Sequence, residues 1–477
     1  MIRIFRASPR NGVLWAGAFL VLAATIGFWM RSSPGSGSAT PTATAGVQPP
    51  NIVLVTVDAL RADHLGVYGY DRPTSPSLDA LATEAVVVRD HIAHAPYTKA
   101  SMASLFTGLY PTSHKTFTTS RGFSEAMTGH VDGNLPLTDV LDPQLWTLAS
   151  ALASVGYETV GLNTNPFLLK EFGFANGFDD YRFVSAGDSF ATASEVVTAA
   201  LERIDRRASA KPLFLWIHVM EPHSPYAPAR ESQAMFPPRR PALVAPMDVI
   251  PSWIVRDGSS DAHFYEALYD AEILEVDAAL GRLFSGLKDR RLWDGTVLVL
   301  TADHGEEFFD HGGFEHNRTL YDEMLRVPLI IRAPGLPPGM RETQTQAVDL
   351  APTLSALAGS TAPEGLAGAN IWSRLSGEKT GEPVAFAENA GGLYALRTPE
   401  WKFVSNLQGR HELYHLTVDP RERENRAQTD PDRTRRMRDR LAAMLGNAHL
   451  AGSAVREGFV PIPPRVLKNL RSLGYIK

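Results

Sequence analysis

The chain has 477 residues, 44% of them hydrophobic and 21% charged, a globular balance that excludes a disordered chain, a collagen-like fibre or a multi-span membrane protein for its bulk. Forty-six Lys and Arg against 52 Asp and Glu give a net charge of −6, without the basic excess that neutralises phosphates, so no nucleic acid is expected as a partner. There is no cysteine, which removes disulfides, zinc-thiolate sites and a cysteine nucleophile and leaves the chemistry to oxygen and nitrogen groups.

Arg3, Arg6 and Arg10 precede an uncharged apolar run from Val13 to Met30, about 27 Å long as a helix and just sufficient to span a bilayer. Residues 1–31 are expected to be an uncleaved signal anchor with the Arg-rich flank cytoplasmic and all that follows outside, in the periplasm. Secretion after cleavage beyond Ala43-Thr44-Ala45 is the alternative. Residues 32–50, mostly Ser, Thr, Pro, Gly and Ala, read as a flexible tether. The folded part then begins with Asn51–Val57 (NIVLVTV), a continuous β-branched run, as are Leu213–Val219, Thr296–Thr301 and Val327–Ile331. Such runs read as strands buried on both faces. Helical patterns at Pro76–Ala85, Ser194–Arg206 and His263–Leu287 alternate with them, which predicts an α/β fold, a mostly parallel sheet sandwiched by helices, over residues 51–377. After about Gly377 come short strands at Tyr394–Arg397, Lys402–Ser405 and Glu412–Leu416 and a charged helix from about Pro431 to Leu445, a small C-terminal α+β subdomain over 378–477.

In an open α/β sheet ligands bind beyond the carboxyl ends of the strands. Asp58 ends the first strand, and Asp303 with His304 ends another. Either acid alone is explained as a cap on the turn that follows. Two carboxylates and an imidazole converging there would repel and desolvate one another without a cation between them, so a divalent metal site is expected.

The segment Ala95-Pro96-Tyr97-Thr98-Lys99-Ala100-Ser101-Met102, continuing to Thr107-Gly108, resembles the nucleophile-bearing segment of the sulfatase family of the alkaline phosphatase superfamily, which runs into a helix and ends in Thr-Gly. The other marks follow in order: Asp58 to Arg61, His218 to Tyr226 with His223, Asp303-His304-Gly305, His316 before Arg326-Val327-Pro328, and Glu412 to Leu416 with Asp419-Pro420 and Asn425. The resemblance spans Asn51 to about Asn425, and the closing Leu473-Gly474-Tyr475 also fits it.

The resemblance implies a membrane-anchored, metal-dependent hydrolase of sulfate or phosphate esters with an alkaline-phosphatase-like fold. Thr98 stands at the nucleophile position. Asp58, Thr98, Asp303 and His304 would hold one divalent cation, calcium by family resemblance, with manganese, magnesium and zinc compatible with the same donors. His223 and His316 would bind the transferred group or protonate the leaving alcohol. His218, His311 and Lys99 are further candidates, while Glu306, Glu307 and Asp310 read as a solvated rim. Three family positions differ: Ala59 stands for a second Asp, Met102 for an Arg, and Leu162-Asn163-Thr164-Asn165 where a Lys-x-His is expected. Formylglycine is made from Cys or Ser, so none is expected at Thr98. A Thr nucleophile is similar instead to phosphoethanolamine and phosphoglycerol transferases acting on envelope molecules. A non-catalytic binding protein is the third reading. The substrate is expected to be a small molecule or an envelope glycan or lipid ester.

Overall fold

The structure is a computed structural model and describes residues 49–117, 137–186, 189–378, 381–406 and 409–472. The apolar run at 13–30, most of the tether, the segment 118–136 and Leu473-Gly474-Tyr475 lie outside the described residues. Among the described residues no helix is long and apolar enough to cross a membrane.

The main sheet is built from β1 (Asn51–Val57), β2 (Val86–Ile92), β3 (Glu158–Asn163), β4 (Asp180–Phe183), β5 (Leu213–Val219), β6 (Thr296–Ala302), β7 (Arg326–Val327), β8 (Leu329–Arg332) and β9 (Gly339–Gln346). Its order is β7-β2-β8-β6-β1-β5-β3-β4, with β9 beside β2. The run β6-β1-β5-β3-β4 is parallel throughout, and β8 is antiparallel to both its neighbours. The expected strand Val327–Ile331 is thus two pieces, because Pro328 between them has no N–H for a ladder bond.

Continuous apolar strands require cover on both faces, and they have it. Val53, Val55 and Val57 with Leu215, Ile217, Leu298 and Leu300 pack under α4 (Ala193–Asp205) and α5 (Ala262–Asp289) through Val196, Val197, Ile273 and Leu280. On the other face Ile52, Leu54, Phe214, Trp216, Val297 and Val299 pack under α2 (Thr98–Thr107), α3 (Leu148–Ser154) and α6 (Leu350–Leu357) through Met102, Phe106, Leu148, Leu152 and Leu354. The helix expected over Pro76–Ala85, α1, stops at Ala82 as the chain turns toward β2.

Four antiparallel strands form the C-terminal sheet: Ala385–Glu388, Leu393–Arg397, Trp401–Asn406 and His411–His415, hydrogen-bonded in sequence order. Helix α7 (Pro431–Ala451) covers it with Met437 and Leu441 against Phe386, Leu396, Phe403 and Leu413. The chain then returns to the main body, where Gly458–Pro461 pairs antiparallel with Leu137–Val140 and Ile462 and Val466 join the apolar layer around Phe167 and Phe172.

Candidate active site

Five neighbouring segments deliver polar side chains to the carboxyl edge of the parallel strands. Asp58 follows β1, Asn165 lies two residues beyond β3, His218 is on β5, Asp303 and His304 follow β6, and Thr98 opens α2 after β2. All six are buried.

Each is oriented by specific bonds. Asp303 Oδ1 accepts the backbone N–H groups of Ala59 at 3.1 Å and His304 at 2.8 Å, and Asp58 Oδ2 accepts the Asn165 amide at 2.6 Å and His218 Nε2–H at 3.3 Å. The other oxygens, Asp58 Oδ1 and Asp303 Oδ2, are buried without a hydrogen-bond partner. His304 Nδ1–H donates to the Gly305 carbonyl at 2.9 Å, so in the neutral ring Nε2 carries the lone pair. That nitrogen lies 3.5 Å from each orphaned oxygen. One donor atom from each of the three residues falls within 4.8 Å of the others. Buried unpartnered acceptors are costly unless something positive satisfies them. The donor set therefore fits a divalent cation.

Electrostatics agree with that fit. Burial opposes ionisation of Asp58, but His223, His218 and His304 outweigh it and hold its carboxyl well below the usual range. Burial and the neighbouring Asp58 charge push Asp303 up. A cation between them would stabilise both carboxylates in their charged form.

Thr98 is the first residue of α2, whose N-cap is Tyr97. Its hydroxyl is not spent as a helix cap. Thr98 Oγ1 lies 3.4 Å from His304 Nε2 and 3.4 Å from Asn165 Nδ2, and the helix N-terminus adds partial positive charge there.

His316 and His223 stand beside this group, His316 with its ring centre 4.4 Å from that of His304 and 4.8 Å from that of His223. Burial lowers the affinity of both imidazoles for a proton, against the opposing pull of the Asp58 charge. His223 Nδ1–H donates to the Ser224 carbonyl. His316 Nδ1 pairs with Glu306 Oε1 at 3.0 Å, and Glu306 Oε2 accepts the Tyr226 hydroxyl at 3.1 Å.

Glu306 and Glu307 are therefore not a solvated rim: they are 0% and 1% exposed. Glu306 orients His316, with its carboxyl raised to about 7 by burial. Glu307 accepts the N–H groups of His311 and Gly313 and holds the turn between them. Asp310 is partly buried and paired with Arg61 at 2.9 Å. Two further candidates point elsewhere. His311 pairs with Glu323 at 2.6 Å and stacks on Tyr321, and Lys99 Nζ donates to Thr138 Oγ1 and the Asp139 carbonyl. A cavity of about 1270 Å³ is lined by Arg61, His64, Tyr70, Arg239 and His311 among others, and not by Asp58, Thr98 or Asp303. It adjoins the site through Arg61 without containing its chemistry.

The profile described as Sulfatase matches residues 50–360, and one described as N-sulphoglucosamine sulphohydrolase, C-terminal, matches residues 309–448. The chain belongs to the sulfatase family. It is accordingly a hydrolase of sulfate or phosphate esters. An uncharacterised sulfatase of Escherichia coli is 26% identical over 427 residues, covering 79% of this chain and 82% of that protein. A Δ4,5-hexuronate-2-O-sulfatase of Bacteroides thetaiotaomicron is 26% identical over 435 residues, covering 80% and 85%. Among solved structures, a phosphonate monoester hydrolase of Agrobacterium radiobacter superposes with a TM-score of 0.68 at 22% identity, over 84% of this chain and 96% of that one. That likeness bears on the fold, an alkaline-phosphatase-like mixed sheet with a C-terminal antiparallel subdomain.

The family's charged positions that this chain lacks have been filled in distinct ways. Met102 is buried among the apolar side chains over the sheet. Ala59, at φ 56°, contributes its backbone, the N–H to Asp303 and the carbonyl to the Tyr269 hydroxyl at 2.7 Å. Sequence reasoning missed Asn165, whose amide reaches both Asp58 and Thr98, and the Tyr226–Glu306–His316 chain. A polar residue just past a buried strand was the available signal for the first; none in the sequence marked the second.

Proposed function

We propose that this hydrolase uses unmodified Thr98 as its nucleophile, with a divalent cation held by Asp58, Asp303, His304 and the Thr98 oxygen, and that it prefers phosphoric to sulfuric esters outside the cytoplasm. The observation that carries the reading is the Thr98 hydroxyl, uncommitted to capping at a helix N-terminus, beside two carboxylate oxygens without partners. When bound, the cation supplies positive charge that favours loss of the Thr98 proton and neutralises the ester's oxygens. Two carboxylates and a hydroxyl suit calcium or magnesium, whereas His304 draws the preference toward manganese or zinc.

The neutral imidazole of His223 or His316 takes the proton leaving Thr98. The oxygen attacks phosphorus, the bond from phosphorus to the leaving alcohol breaks, and the imidazolium returns the proton to that alcohol. Water attacks the resulting phospho-threonine in the same manner and restores the hydroxyl. Sulfatases that carry formylglycine release sulfate by breaking a hemiacetal C–O bond. Threonine has no second hydroxyl to drive that elimination, so a sulfo-threonine would persist while a phospho-threonine turns over.

The apolar run at 13–30 supports a single-pass membrane anchor with the catalytic body in the periplasm. The substrate class that fits is a small phosphoester or an ester on an envelope glycan or lipid.

Matched aryl sulfate, phosphate monoester and phosphodiester substrates test the reading, with intact-mass analysis after trapping. Faster phosphoester turnover and an adduct on Thr98 are expected. Thr98→Ala should lose nearly all turnover, and Thr98→Ser should retain part because the hydroxyl survives. Faster sulfate turnover, or full activity in Thr98→Ala, would move the nucleophile elsewhere. Turnover that depends on an added acceptor alcohol would make the protein a transferase.

A further inference from the structure

Asn165 lies two residues beyond β3 at the carboxyl edge of the sheet and is 1% exposed. Its amide has one orientation. Oδ1 accepts the backbone N–H of Phe167 at 2.8 Å, which closes a local turn. The carbonyl end is thereby committed, and the two Nδ2 hydrogens point inward. Nδ2 lies 2.6 Å from Asp58 Oδ2 and 3.4 Å from Thr98 Oγ1.

The amide is thus a neutral double donor between a carboxylate and a hydroxyl in a buried site. A hydrogen bond to a charged acceptor in such surroundings is worth more than one in water. Donation to Asp58 Oδ2 fixes which carboxylate oxygen stays unpaired, since Oδ1 is the atom left without a partner. Donation to Thr98 Oγ1 strengthens as that oxygen gains negative charge, so its benefit falls on the reacting state more than on the resting one.

We propose that Asn165 is the positioning residue of the nucleophile: its amide, turned by the Phe167 N–H, divides its two hydrogens between Asp58 and Thr98 and sets both in their working orientations. This rests on Thr98 being the nucleophile, and its two contacts allow the two claims to be tested apart.

The experiment compares Asn165→Ala and the isosteric Asn165→Asp with the parent and with Thr98→Ala, all as full-length chains purified in detergent. It reads kcat and KM separately on an aryl phosphodiester, the rate of adduct formation on Thr98 by intact mass, manganese affinity by calorimetry, and the melting temperature. In Asn165→Ala, kcat and adduct formation should fall on the order of 10²-fold with KM within about threefold, the pattern of an interaction made in the transition state. Manganese affinity should weaken about tenfold, as when an outer partner of a ligand is removed. Asn165→Asp fills the same space and keeps the acceptor for Phe167 but has lost the donor. It should fare no better than Asn165→Ala, whereas a space-filling role predicts recovery. Unchanged kcat in Asn165→Ala, a loss confined to KM, a loss that follows melting, or full activity in Asn165→Asp would each overturn the proposal. Full activity in Thr98→Ala with weakened manganese binding in Asn165→Ala would instead remove the nucleophile reading and leave only the Asp58 contact.

Discussion

At the scale of residues, the site is defined by what its carboxylates lack. Asp58 and Asp303 each have one oxygen anchored and one without a partner, and the two orphans face His304 Nε2 at the same 3.5 Å. Changing either acid to Asn removes a charge and substitutes a donor on a group that must accept. Asp58→Asn and Asp303→Asn should therefore abolish tight divalent-ion binding and turnover together; an unchanged ion stoichiometry by elemental analysis in both variants would remove the cation site. In the sequence Asp58, Asp303 and His304 stand out as strand ends and Thr98 through its resemblance to the sulfatase nucleophile segment, and the fold brings the four together. The sequence could not reveal Glu306 in the same way. Two adjacent acids after a glycine, Gly305-Glu306-Glu307, look solvated, and only the fold of the loop, which brings His316 back against Glu306 at 3.0 Å, turns Glu306 into a buried support.

At the scale of elements, continuous β-branched runs located β1, β5 and β6 to within a residue because strands buried on both faces leave no other arrangement for such runs. The strand Ala385–Glu388 was not legible. It is short, and two of its four residues are alanine, so its apolar content carries no period. It nonetheless joins the two sheets' regions, since Glu388 Oε1 accepts the Thr112 N–H at 2.5 Å and Oε2 the Thr112 hydroxyl at 2.5 Å. Burial raises the Glu388 carboxyl from 4.5 to about 7. A raised folded-state value means the contribution to stability is complete below the unfolded value and is lost as pH climbs through the folded one. Thermal melts from about pH 5 to about pH 8 should thus show a falling stability whose slope is smaller in Glu388→Gln, which cannot ionise, the remainder belonging to other raised carboxyls such as Glu306. An identical slope in that variant would assign the pH dependence to other groups.

At the scale of the whole molecule, the catalytic body and the apolar run at 13–30 are separated by a tether rich in Ser, Thr, Gly and Pro. Under the proposed membrane anchoring, a segment of that composition would hold the domain near the membrane without fixing its angle. A chain beginning at Gly46 should therefore stay in solution and keep its activity, while the full-length chain fractionates with membranes. Full-length material recovered from the soluble periplasmic fraction with a new N-terminus near Gly46 would show cleavage instead.

The pairing of Gly458–Pro461 with Leu137–Val140 carries a consequence for synthesis. The strand at 137–140 is made early, and Lys99, next to Thr98, already grips it through Thr138 and Asp139. Its partner emerges only after the main sheet and the C-terminal sheet have been made. Until then an N-terminal body that folds first, as domains do during translation, presents an unpaired edge. A nascent chain halted before Gly458 should be more prone to aggregation and to proteolysis near Leu137 than one in which Pro461 has emerged, which makes Gly458–Pro461 the fastener of a domain whose candidate site lies entirely upstream of it.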